Sequence, residues 1–160
     1  FRIIVEWEYY ALLNLLKTKN FVPDIAWMSE RLGISLLRCQ EVWNDLIAAK
    51  MVVPDENGVF KRAYSRLATT DYELSLPLQQ AHVEELKLVA EKIGQVPPEL
   101  RDVFSLILPS RPQLLKKARQ ITRDYFRKME ALLESEPGEE VYLLGAHLIP
   151  LTLPKKESNQ

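Results

Sequence analysis

A helix stop and a helix start stand within three residues of one another in Glu30-Arg31-Leu32-Gly33-Ile34-Ser35-Leu36-Leu37-Arg38. Glycine adopts the left-handed conformation that ends a helix without steric cost, and serine accepts a backbone hydrogen bond at a helix start. The chain must turn sharply here between two helices. Asp24 is placed to cap the earlier one, Ile25–Leu32. Ser35 is placed to cap the later one, Leu36–Lys50, with Leu36, Cys39, Val42, Trp43, Leu46 and Ile47 as its packed face. This is helix-turn-helix grammar, and the second helix of such a pair commonly lies in the DNA major groove.

The flanks extend the reading. Val5–Lys17 has the apolar spacing of a helix, with Trp7, Ala11 and Leu15 on one face and Leu12, Leu13 and Leu16 widening it. Asn57-Gly58, set between Met51-Val52-Val53 and Val59-Phe60, is a hairpin signal, and Pro54 confines the first strand to an edge. Three helices followed by a hairpin is the element order of a winged helix. Residues 1–66 are expected to form that domain and residues 67–76 a linker.

The remainder reads as helix, strand, helix, strand. Ser75 and Pro77 open a helix that Gly94 is expected to stop, with Leu78, His82, Leu86, Val89 and Ile93 inward. Val103–Leu108 is a β-rich run. A long helix follows Pro112 to about Glu134, with Leu114, Ala118, Ile121, Tyr125, Met129 and Leu132 on one stripe. Val141–Leu151 is a second, mostly apolar strand. The intervening helix favours a right-handed parallel crossover. Two strands alone make a poor sheet, so a homodimer joined through residues 77–153 is expected, and a symmetric dimer suits a palindromic DNA site. Residues 154–160 form a polar tail. The expected fold class is thus α+β: a winged helix followed by a C-terminal dimerisation or sensing region.

Charge limits the nucleic-acid reading. The net charge is -1 and the pI about 6.2. Residues 1–66 hold nine Lys/Arg against eight Asp/Glu, and residues 67–160 hold twelve against fourteen. Any DNA surface must come from local clustering. On the second helix of the motif, Arg38, Gln40 and Asn44 have the chemistry to contact base edges, since Arg forks onto guanine and Gln or Asn pairs with adenine. Lys61 and Arg62 on the wing, with Arg66 beyond it, could hold phosphates, as could Lys17, Lys19 and Arg31. Glu41 and Asp45 oppose this. A protein-binding winged helix is the alternative. Lys116, Arg119, Arg123 and Arg127 fall within about 80° of arc on the long helix and form either an auxiliary anionic-ligand surface or a solvated face.

Catalysis has little footing. His82 and His147 stand apart, each on an apolar element, and read as structural. No Cys/His cluster has metal-ligand spacing, and no glycine-rich phosphate loop is present. Cys39 reads as a small core residue. With one cysteine no internal disulfide can form, which suits the reducing cytoplasm. No apolar run reaches the length of a membrane span. No cofactor is expected, and the sequence leaves open whether a small effector binds.

Several motifs together carry a resemblance. They are Trp7 with Ala11-Leu12; Arg31-Leu32-Gly33-Ile34-Ser35; Leu67 with Thr69-Thr70-Asp71; Pro97-Pro98-Glu99 with Arg101-Asp102, Ser105-Leu106 and Leu108; and Val141-Tyr142 through Leu148-Ile149-Pro150-Leu151-Thr152. Over nearly its whole length the chain resembles a bacterial family of unknown function found as many paralogues in predatory and fibre-degrading bacteria. Tyr9 stands where that family often has His, and Gly145 where it often has Asn. The resemblance implies a non-catalytic transcriptional regulator, usually longer, with a further helix-turn-helix region ahead of this one. It supplies no catalytic residue set.

Overall fold

Capping chemistry sets the helix boundaries in the first third of the chain. The computed structural model describes residues 2–63 and 75–153. Asp24 accepts from the Trp27 N–H at 2.8 Å and starts α3, Ile25–Leu32. Ser35 accepts from the Arg38 N–H at 3.1 Å and starts α4, Leu36–Ala48. Between them Gly33 sits at φ 66°, and the Ile34 N–H returns to the Ser29 carbonyl. The same kind of ending closes α4 without glycine. Lys50 is left-handed at φ 56°, the Lys50 N–H reaches Ile47 O, and the Met51 N–H reaches Leu46 O.

Two further elements precede these. The single helix expected over Val5–Lys17 is instead α1, Arg2–Val5, and α2, Trp7–Leu15. The break is Glu6, whose backbone is extended at φ -91°, ψ 123°. Its carboxylate gives no cap bond to α2 because it is engaged by Arg2 and Arg38.

After α4 come β1, Val52–Pro54, and β2, Phe60–Arg62, paired antiparallel with Val53 opposite Lys61. The Asp55 carboxylate organises the connecting loop by accepting from the Asn57 and Val59 N–H groups at 2.8 and 2.9 Å. Gly58 alone in this loop has positive φ, 76°. The hairpin expected from Asn-Gly is present, with a longer connection than a two-residue turn.

The core lies where these elements meet. Tyr9, Leu12, Leu13 and Leu15 of α2 pack with Met28 of α3, Cys39, Val42, Trp43 and Leu46 of α4, and Val52 of β1. Phe60 meets Trp43 edge-on at 5.2 Å and fastens the hairpin to α4. Two residues expected on the packed face of α4, Leu36 and Ile47, remain exposed. They flank the buried stripe, which is only as wide as α2 and β1 can cover.

The second half is built differently. α5, Leu76–Gln95, lies along α1 and buries Ala81. Leu86 and Ile93, expected inward, are exposed, since α1 is one turn long and covers only the start of α5. Gly94 does not stop this helix. It ends ahead of Pro97, which forces Val96 to extended backbone. Single 3-10 turns at Pro98–Leu100 and Pro112–Leu114 lead into α6, Leu115–Leu133.

The two strands and the parallel crossover expected in this half are not formed. Among the described residues the only sheet is β1–β2. Residues 101–110 and 141–150 run without turn or helix and without a ladder partner. A strand is defined by its neighbour, and the described chain supplies none. A backbone hydrogen bond and apolar packing nonetheless tie residues 138–141 back to the core: the Lys19 N–H donates to Gly138 O at 2.7 Å, and Val141 packs against the core cluster. The fold is therefore α+β, mainly helical, with one small antiparallel sheet. Most of the expected 67–76 linker, Arg66 and the 154–160 tail lie outside the described residues.

Candidate nucleic-acid interface

Arg38 is the only basic side chain on α4, and it does not face outward. Its side chain is 21% exposed. Nη1 donates to Glu41 at 2.8 Å and Nε to Glu8 at 3.4 Å, while Nη2 is bonded to Glu6. The guanidinium also lies over the Tyr9 ring at 5.5 Å. Burial alone would lower its pKa, but the carboxylates of Glu41, Glu6 and Glu8 outweigh burial and hold it above its ordinary value. All three nitrogens that would fork onto a guanine are thus occupied by carboxylates: Glu6 at the break between α1 and α2, Glu8 of α2 and Glu41 of α4.

Glu41 completes the arrangement. It accepts from Arg2 at 2.8 Å as well as from Arg38, and these bonds depress its pKa. Asp45, the other acidic residue of α4, accepts from the Tyr9 hydroxyl. Glu41 is thus paired with two cations, whereas Asp45 is held by a neutral hydroxyl.

Besides Glu41, what α4 presents outward is uncharged. Gln40 donates to Asn44 Oδ1 at 2.9 Å along the helix, and both are exposed. Leu36 is 58% exposed and Leu37 82%. The hairpin adds mixed charge. Lys61 is exposed on β2, but Asp55 and Glu56 stand in its loop. Arg62 turns toward α2 and donates to Asn14 Oδ1 at 3.2 Å, and burial lowers its pKa. Arg31 stacks on Trp27 at 5.8 Å and donates to Glu139 O and Glu140, while Lys17 and Lys19 are exposed.

Of the candidate base and phosphate contacts, the fold brings together Gln40 and Asn44, and sets Lys61 and Arg62 side by side in sequence with different surroundings. It separates Arg38 from both sets. The auxiliary residues Lys116, Arg119, Arg123 and Arg127 do share the exposed side of α6, where Arg127 pairs with Asp124 at 2.8 Å. The glutamates that enclose Arg38 were not anticipated. Glu6 and Glu8 lie some thirty residues away in sequence, and no local window around α4 contains them.

Among the described residues no group of three His, Cys, Asp or Glu side chains could hold a metal. His82 lies beside Glu85 at 3.4 Å and His147 is exposed. A cleft of about 380 Å³ lies among α1, α2, α4 and α5; its polar lining is the mutually paired Arg2, Glu6, Glu8 and Arg38 with Gln80 and Glu84 of α5, the latter paired with Lys87. No helix among the described residues is long and apolar enough to cross a membrane.

These features define a small helical core with an attached hairpin and a partly paired charged seam, followed by a sparsely packed helical half. The chain matches the family described as Domain of unknown function (DUF4423) over residues 1–151, and it belongs to that family. No curated protein and no solved structure matches it.

Proposed function

We propose that the chain is the non-catalytic assembly region of a transcriptional regulator, working in the cytoplasm. In this reading residues 2–63 are a winged helix whose α4 face makes protein contacts instead of reading bases. The observation that carries it is the enclosure of Arg38 by Glu6, Glu8 and Glu41 beside two exposed leucines, Leu36 and Leu37. A base-reading helix needs free donors at its surface and a positive field toward phosphate. A helix face whose one cation is enclosed by carboxylates and whose exposed side chains include Leu36 and Leu37 suits a protein partner better.

DNA binding by the same unit is the second reading. It is favoured by Gln40 and Asn44, exposed and paired on one face of α4, and by Lys61 on the hairpin. The two readings separate in a salt titration of binding to genomic DNA fragments. With Z phosphate contacts, the log–log slope is about -0.9Z. The protein-contact reading expects weak, sequence-indifferent binding with a slope of about one or two contacts. Selective binding that is lost in Gln40→Ala and Asn44→Ala would overturn it and establish the second reading.

A further inference from the structure

Four cations gather at the C-terminal end of α2. Lys17 and Lys19 follow that helix directly and are exposed. Arg62 of β2 reaches its last turn, donating to Asn14 Oδ1, and the buried Arg62 Nε has no partner among the described residues. Arg31 of α3 belongs to the same corner. It binds Glu139 O, while the Lys19 N–H binds Gly138 O, the carbonyl just before.

The segment that crosses this corner is acidic. Residues 134–140 read Glu-Ser-Glu-Pro-Gly-Glu-Glu, four carboxylates in seven residues and no cation. Pro137 bars any continuation of α6, so the chain leaves the helix and passes over the corner as a strap. Arg31 Nη2 donates to Glu139 O at 2.7 Å and to the Glu140 carboxylate at 3.1 Å. The Lys19 N–H holds Gly138 O at 2.7 Å, and Val141 anchors the far end against the core. At the near end Glu134 acts on the Arg62 charge and opposes the lowering that burial causes.

A run of anions laid across Lys and Arg side chains is also what a nucleic-acid backbone presents. The strap is weakly held by its charges: Arg31 and Glu140 are 33% and 59% exposed, and a pair so exposed adds little to stability. A stronger polyanion can displace it.

We propose that residues 134–140 are an autoinhibitory strap, occupying in place of nucleic-acid phosphates a corner made by Lys17, Lys19, Arg31 and Arg62. With the strap seated, the chain binds nucleic acid weakly. With it lifted, the corner holds phosphates and reads no bases. This corner is separate from the outward face of α4, so the inference goes beyond the protein-contact reading of that face.

Glu139→Gln with Glu140→Gln removes two carboxylates from the strap and keeps its backbone contacts. Binding of a mixed-sequence DNA duplex, followed by fluorescence anisotropy over a salt series, should tighten by about tenfold at low salt, with a slope steeper by about one to two contacts. Glu91→Gln with Glu99→Gln alters exposed glutamates of α5 and of the 3-10 turn after it. It makes the same change in net charge and should leave the slope where it was. Adding Arg31→Gln to the strap pair should remove most of the gain. A slope unmoved by the strap pair, an equal gain in the control pair, or a gain that survives Arg31→Gln would each overturn the proposal. The native chain's own slope, with Gln40→Ala and Asn44→Ala, decides the reading of α4; only the difference between strap and control pairs decides this one.

Discussion

The Tyr9 hydroxyl donates to Asp45 Oδ2 at 2.5 Å, joining the first turn of α2 to the last turn of α4. The same ring lies under the Arg38 guanidinium. Burial, and then the bond to Asp45, raise the Tyr9 pKa from its ordinary 10 to about 12. The folded state therefore holds this proton more tightly than the unfolded chain. The associated stability is fully present below about pH 10 and is lost as pH rises toward 12, by on the order of 2 kcal/mol. Urea unfolding at pH 9 and 11.5 should show a steeper loss in the native chain than in Tyr9→Phe. Parallel losses in the two proteins would contradict the assignment.

Removing Arg38 leaves three carboxylates facing one another. Arg38→Met should lower stability by about 1–3 kcal/mol, since Glu8 loses its cation while Glu6 and Glu41 are left sharing Arg2. Adding Glu6→Gln and Glu8→Gln should recover most of it. Denaturation midpoints of the two variants decide the point, and an unimproved triple variant would show that Arg38 acts by packing alone.

The two helix endings make opposite predictions. Gly33 and Lys50 both hold left-handed backbone, and a Cβ on Gly33 would meet no neighbouring atom within 4 Å. The cost of a side chain there is purely conformational. Gly33→Ala should destabilise by about 1 kcal/mol, and Lys50→Gly should stabilise by up to about 1 kcal/mol. Thermal unfolding of the pair tests both signs together.

The start signals are separately measurable. Ser35→Ala removes the acceptor of the Arg38 N–H, and Asp24→Ala that of the Trp27 N–H. Each should cost about 1 kcal/mol, and Ser35→Gly or Asp24→Gly only a few tenths. By contrast Leu46→Ala, at a fully buried position, should cost about 2–5 kcal/mol.

Legibility in the sequence followed the range of the interactions. Asp24, Gly33 and Ser35 act within four residues of themselves, and each does what its local setting suggested. The hairpin was equally local. The break at Glu6 was not, because its carboxylate answers to Arg38 across thirty residues. The fate of Arg38 was hidden for the same reason, although its helix and its neighbours on that helix were legible. In residues 101–110 and 141–150 the β-rich composition was plain, yet strand formation depends on a partner that no part of the described chain provides.

Cys39 carries a last consequence. It is the single cysteine, fully buried between α2 and α4, and burial raises its thiol pKa. A thiol-specific reagent can reach it only when that seam parts. The rate of its alkylation in native buffer is therefore a clock for the opening of the core, with no label to introduce and no competing site to remove.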